Sequence, residues 1–122
     1  MSKQIIERAQ GRQPTGRNQS SAYKDLVWTV AAALDEDLDI LGQTQQTVDV
    51  LDSNLEQLGS DKSKIISAQV FLSDINNKSK MDKVWQEWIG DNPENWPQRA
   101  CVGVQLGGNW LIEVTVIAVR DN

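Results

Sequence analysis

Arg99, Cys101 and Glu113 stand close together in the C-terminal run PQRACVGVQLGGNWLIEV, residues 97–114, and are the side chains best suited to chemistry. An arginine offers a planar fork of N–H donors that fits a carboxylate at both oxygens. A glutamate can hold an attacking water or take a proton from one, but is as readily an interface hydrogen-bond partner. A lone strand arginine reads first as an interface or edge salt bridge. Cys101, the only cysteine, reads first as a small buried apolar side chain. The chain has no histidine. A Ser-His-Asp triad, a Cys-His dyad and imidazole-bound zinc are therefore excluded, and one cysteine supplies neither a disulfide nor a thiolate metal site. Phosphate loops of the GxxxxGKS/T or GxGxxG kind do not occur in the sequence either.

Strand alternation decides which of these residues share a face. Ala100, Val102, Val104 and Leu106 form one apolar face, expected against the helices; Arg99, Cys101, Gly103 and Gln105 form the other. Gly107-Gly108-Asn109 reads as a hairpin turn into a last strand, Trp110 to Arg120. A three-residue turn pairs Gly103 with Glu113 and brings Glu113 onto the Arg99 face, the register that patterning prefers. Arg99 and Glu113 are then about four residues apart, roughly 13 Å, too far for a salt bridge. That face also carries Leu111, Thr115, Ile117 and Val119. It is too apolar for water and too charged for a dry core, which points to a groove at an interface between copies.

The elements that must hold this strand pair are readable upstream. Ile5 and Ile6 suggest a short strand, followed by a loop around Gly11, Pro14 and Gly16. Residues 22–33, AYKDLVWTVAAA, read as a strand region with a possible turn at Lys24-Asp25. A helix follows, with Leu41, Thr44, Val48, Leu51, Leu55 and Leu58 on its buried face, Asp37 or Asp39 as cap, and Gly59 at its end. Gln45, Asp49, Asp52, Glu56 and Gln57 occupy its wet face. KIISAQVFLS (64–73) alternates as a strand, and a second helix from about Ser79 to Ile89 presents Met81, Val84, Trp85 and Trp88. Trp28 is expected in the core, and Trp96 and Trp110 flank the loop and the turn.

The order β, β, α, β, α, β, β implies an α+β fold: a mixed sheet with two helices packed on one face. The strands before and after the first helix are expected to be parallel neighbours through a right-handed crossover. With 122 residues, 39% hydrophobic and 24% charged, the chain fits one globular domain spanning 1–122. No apolar run reaches the roughly 20 residues that span a bilayer, and the N-terminal residues have no signal-peptide core. A cytoplasmic setting is expected. A net charge of −5 argues against nucleic acid and anionic membranes as partners.

Three segments resemble the RidA (YjgF, RutC-like) family of reactive-intermediate deaminases. GQTQQTVDVLDSNLEQLGSDKSKIISAQVFLSD (42–74) is similar to that family's first helix, glycine turn and strand; MDKVWQEWI (81–89) is similar to its second helix. PQRACVGVQLGGNWLIEVTVIAV (97–119) resembles its closing signature, P-x-R-x-x-V-x-V-x-L and then a V/I-E-I/V strand. The likeness covers about residues 20–120. It implies a chorismate-mutase-like fold assembled as a homotrimer, with ligand clefts between subunits and no cofactor or metal. In such a cleft Arg99 would bind the carboxylate of a 2-imino or 2-enamino acid. Cys101 would offer a backbone carbonyl near the substrate nitrogen, and Glu113 would help hold the attacking water.

The chain departs from the family pattern at four places. Val30-Ala31-Ala32 replaces a Ser-Gly-Gln type of sequence, removing a hydroxyl from the cleft lining; Arg17 stands near a usual tyrosine; Asp82 replaces asparagine; Gly103 replaces glutamate. Arg17 in the cleft would favour dianionic or larger carboxylates. Three readings follow: a hydrolase that deaminates 2-imino acids, of the 2-iminobutanoate/2-iminopropanoate deaminase kind; a trimer that binds a small carboxylate without turning it over; or a structural or chaperone-like trimer, which would not need Arg99.

Overall fold

The computed structural model describes residues 5–12 and 15–121, so Pro14 lies outside the described residues. The strands are β1 (Glu7–Ala9), β2 (Ser20–Tyr23), β3 (Leu26–Ala32), β4 (Ile65–Leu72), β5 (Gln98–Gly103) and β6 (Ile112–Val119); the helices are α1 (Ile40–Gln57) and α2 (Lys78–Ile89). Three short 3-10 turns precede β4, α2 and β5. The sheet is mixed, in the order β1-β2-β3-β6-β4-β5. Only β4 and β5 run parallel, joined through α2; the other pairs are antiparallel.

Local chemistry explains the helix limits. Asp39 caps α1 by accepting from the Gly42 N–H at 2.9 Å. At its far end Gly59 adopts φ +83°, a left-handed conformation that side chains resist, and the Ser60 N–H closes back on Leu55 O. Gly90, at φ +87° and ψ −175°, ends α2 differently, in an extended positive-φ conformation open to glycine, its N–H on Gln86 O at 3.1 Å. Both helices lie against one sheet face, where Val48, Leu51 and Leu55 of α1 and Met81, Trp85 and Trp88 of α2 meet Val27, Val70, Leu72, Val114 and Val116. On α1 the buried stripe is displaced from the leucine pattern: Leu41 is exposed, whereas Ile40, Gln43, Thr47 and Asn54 are buried. Asp52 is half-buried rather than on the wet face, because it accepts the Trp88 indole N–H.

Several expectations are corrected. Residues 22–33 turn at Lys24-Asp25 as expected, Lys24 at φ +54°, but the turn divides the region into the end of β2 and all of β3, one strand more than the expected order held. The first strand begins after Ile5 and Ile6, which are exposed. β5 and β6 do not form a hairpin, since β4 lies between them. The turn at 107–109 exists, with the Trp110 N–H on Gly107 O and Gly108 at φ +55°, but it feeds a crossing. β3 and β4 are likewise separated, by β6. Strand pairing is non-local, and turn chemistry alone does not report which strands lie between two ends.

The faces of β5 are also reversed. Arg99 and Cys101 pair with Ala68 and Val70, which are buried beneath the helices, so they face α2. Val102, and Val104 just beyond the strand, are 46% and 44% exposed and turn to the open face. Glu113 pairs with Ala32 and Phe71 and also belongs to that open face, so Gly103 is not opposite it. Trp28 joins them there at 38% exposure, rather than in the core. An apolar stripe marks burial, but burial against another molecule and burial in the core read alike.

Candidate functional site

β5 is an edge strand, and its free side leaves every second backbone group unpaired. The Val104 N–H reaches inward to Leu72 O at 2.9 Å; by alternation the N–H and C=O of Cys101 point outward along the edge. Arg99 is fixed from three sides. One guanidinium nitrogen donates to Asp82 at 2.5 Å, another sits 3.7 Å from the Met81 sulfur, and the group lies 5.1 Å from the centre of the Trp85 ring. All three partners lie on α2, whose helical spacing places them on neighbouring turns of the side facing β5.

Asp82 is shared. Its second oxygen accepts from Lys78 at 2.7 Å, one turn earlier on α2. Burial disfavours ionisation of this carboxyl, but the Lys78 and Arg99 hydrogen bonds and charges outweigh it and hold the group below its usual range. Cys101 responds oppositely: burial raises its thiol, only partly offset by Arg99. A raised thiol disfavours the thiolate form, in keeping with a packing role for the Cys101 side chain. A recess of about 560 Å³ opens beside Arg99, walled by Trp85, Ile89, Trp96 and Pro97.

The other candidate residues gather elsewhere. Arg17, Val30, Glu113 and Trp110 line a recess of about 640 Å³ that runs around the end of β3 to Gln46, Asp49 and Ser53 of α1. Val30 is half-buried, and its carbonyl accepts from the buried Asn54, which also donates to Thr29. Arg17 is exposed and donates to Thr15 at 2.9 Å. Within one copy, then, Arg99 with Cys101 and Arg17 with Val30 and Glu113 make two separate constellations. Arg99 and Glu113 stay apart because they occupy opposite faces of the sheet, not merely because of spacing along it.

Gln43 was not singled out by periodicity, yet it organises the second recess. Fully buried, its amide nitrogen lies within hydrogen-bond distance of the carbonyls of Glu36, Leu38 and Asn109, and its oxygen accepts the Leu111 N–H. Glu36 adds a bond to the Asn109 N–H. The loops before α1 and before β6 are thus tied together, which sets where Trp110 and Glu113 stand. The one signal in the sequence was a glutamine close to the apolar stripe of a helix.

Among the described residues no group of His, Cys, Asp or Glu is arranged to hold a metal ion, and no helix is long and apolar enough to cross a membrane.

The fold agrees with that of known proteins. The family described as Endoribonuclease L-PSP matches residues 29–120, a span that includes Val30, Arg99, Cys101 and Glu113 but not Arg17. A RutC family protein of Haemophilus ducreyi is 35% identical over 89 residues, 72% of this chain and 74% of its own length. The RutC family protein YoaB of Escherichia coli is 42% identical over 83 residues, 67% of this chain and 71% of its own. A crystal structure of a YjgF-family protein from Neisseria meningitidis superposes with a TM-score of 0.87, covering 98% of each chain at 24% identity, a likeness of fold. The chain belongs to the RutC/YjgF (RidA) family, whose mixed six-stranded sheet with two helices it shares.

Proposed function

We propose that the protein hydrolyses 2-imino and 2-enamino acids to 2-oxo acids and ammonia, in a cleft assembled between copies of the chain as a homotrimer. One observation carries this reading: a guanidinium held rigidly at a free sheet edge, with its water-handling partner Glu113 on the other face, out of reach in the same copy. A second copy supplies what the first lacks. The open sheet face, with Trp28, Ile117, Val102 and Val104 unpartnered in the single chain, offers the apolar area for such an assembly. A further relative supports the chemistry: the Escherichia coli 2-iminobutanoate/2-iminopropanoate deaminase is 28% identical over 83 residues, 67% of this chain and 65% of its own.

In this reading Arg99 holds the substrate carboxylate in plane, which fixes the adjacent imine carbon. Water held by Glu113 of the neighbouring copy attacks that carbon, and the C=N electron pair moves to nitrogen. The nitrogen takes one proton from the attacking water as the carbinolamine forms. On collapse the new hydroxyl gives up the second, C=O forms, the C–N bond breaks and ammonia leaves. A 2-enamino acid first tautomerises to the imine. The Cys101 carbonyl at the strand edge accepts an N–H of the departing nitrogen. Arg17 and Val30 line the far side. Imines hydrolyse readily in water, so positioning is the enzyme's main contribution.

Binding without turnover is the second reading, favoured by two features: Val30-Ala31-Ala32 brings no hydroxyl, and Arg99 already has an internal carboxylate partner in Asp82. Generating 2-iminopropanoate with an amino-acid oxidase and following its decay separates the two. Acceleration over buffer supports the hydrolase; decay at the buffer rate, with pyruvate still bound, leaves the binding protein.

A further inference from the structure

Trp96 is 53% exposed, yet it is not loose. Its indole N–H donates to Gly90 O at 2.8 Å and its backbone N–H to Pro93 O at 3.1 Å, while Pro97 follows it directly. A large ring held rigidly at the surface, contributing little to the core, is a wall awaiting contact. It lines the same recess as Trp85, the ring over which the Arg99 guanidinium lies. Ile89 forms part of the apolar lining. Asp82 and Asp91 also line the recess, so a second carboxylate entering there would meet like charge.

We infer that this recess is the side-chain subsite for the acid anchored on Arg99, and that it selects 2-imino acids with aromatic or bulky apolar side chains over small or acidic ones. The inference rests on the reading of Arg99 as carboxylate anchor. Residues 96 and 99 are about 10 Å apart along an extended chain. An arylmethyl group on the anchored acid reaches toward Trp96; a methyl group leaves the recess to water. Each apolar group removed from water against the Trp85, Ile89 and Trp96 lining adds affinity that a methyl cannot supply.

The test uses the stable 2-oxo acids phenylpyruvate and pyruvate, so it does not depend on turnover. Calorimetric titration of the wild-type protein is expected to give at least about tenfold tighter binding of phenylpyruvate. Trp96→Ala brings the affinity ratio close to one, and Trp96→Phe, which keeps a ring but loses the indole bond, preserves most of it. Equal wild-type affinities, or a ratio unchanged in Trp96→Ala, overturn the inference. Arg99→Ala separates the two levels. Loss of both ligands upholds the anchor, so a ratio that survives Trp96→Ala then sinks the subsite alone. Retention of both ligands in Arg99→Ala sinks the anchor and this inference with it.

Discussion

On the β4–α2–β5 side of the sheet the ionisable groups are locked in place, whereas around β3 and the start of β6 they line an open recess. Arg99, Asp82 and Lys78 form a chain of ion pairs against a buried tryptophan, with Arg99 and Asp82 each about a fifth exposed. Arg17, by contrast, is exposed on a loop, and Glu113 is half-buried at a strand end whose placement depends on loop ties through Gln43. A rigid anchor and a more open wall are what an intersubunit cleft requires of its two sides. The first fixes the ligand before the second closes over it. In the proposed cleft, that difference is why one copy keeps the candidate residues in two separate constellations.

Substitutions on the two sides should differ in kind as well as size. Arg99→Ala is expected to have the largest effect, lowering kcat/KM for imine hydrolysis at least about a hundredfold, because the reacting carbon is no longer held. Comparable activity in that variant would dissolve the distinction between the sides. Glu113→Gln should lower kcat by about tenfold to a hundredfold with little change in KM, the pattern of a group acting on the water rather than on binding. Arg17→Ala, on the exposed wall, should raise KM no more than about fivefold and less at high salt. Steady-state kinetics on the three variants checks the ranking.

Asp82→Asn sharpens the comparison through pH. The folded Asp82 carboxyl is held below its ordinary value, so its stabilising effect is complete above about pH 4 and is lost as pH falls through the lowered value. Urea unfolding should therefore show a wild-type advantage over Asp82→Asn that is constant from pH 5 to 7 and smaller at pH 3. The smallest effect is expected at Lys64, whose partner Asp121 is almost fully exposed; Lys64→Ala should leave the urea unfolding midpoint close to that of wild type.

The sequence made the helices legible because their period, caps and terminal glycines agree with one another. Asp39, Gly59 and Gly90 each stand where those signals placed them. Arg99, Cys101 and Glu113 were legible as a group of residues on closing strands, but not as a geometry. Alternation groups Arg99 with Cys101 correctly and leaves open which side the pair faces. Ala100, Val102 and Val104 look like core, and the structure turns Val102 and Val104 to the open face instead. The same ambiguity put Trp28 inside. Strand order was beyond reach for a different reason: the insertion of β4 between β5 and β6 is set by packing across the whole chain, not by the turn at 107–109. Asp82 drew notice only as a departure from the family pattern; its hold on Arg99 needed the α2–β5 contact to be seen.

Subunit mixing tests the central claim most directly. Arg99→Ala and Glu113→Gln chains, each nearly inactive alone, are unfolded together, refolded at equal ratio and assayed for 2-iminopropanoate hydrolysis. If each cleft takes Arg99 from one copy and Glu113 from its neighbour, about a quarter of the clefts in a random mixture are intact, and activity returns to about that fraction of wild type. If the mixture stays at the level of the separate variants while wild type refolded in parallel recovers fully, the shared cleft is wrong.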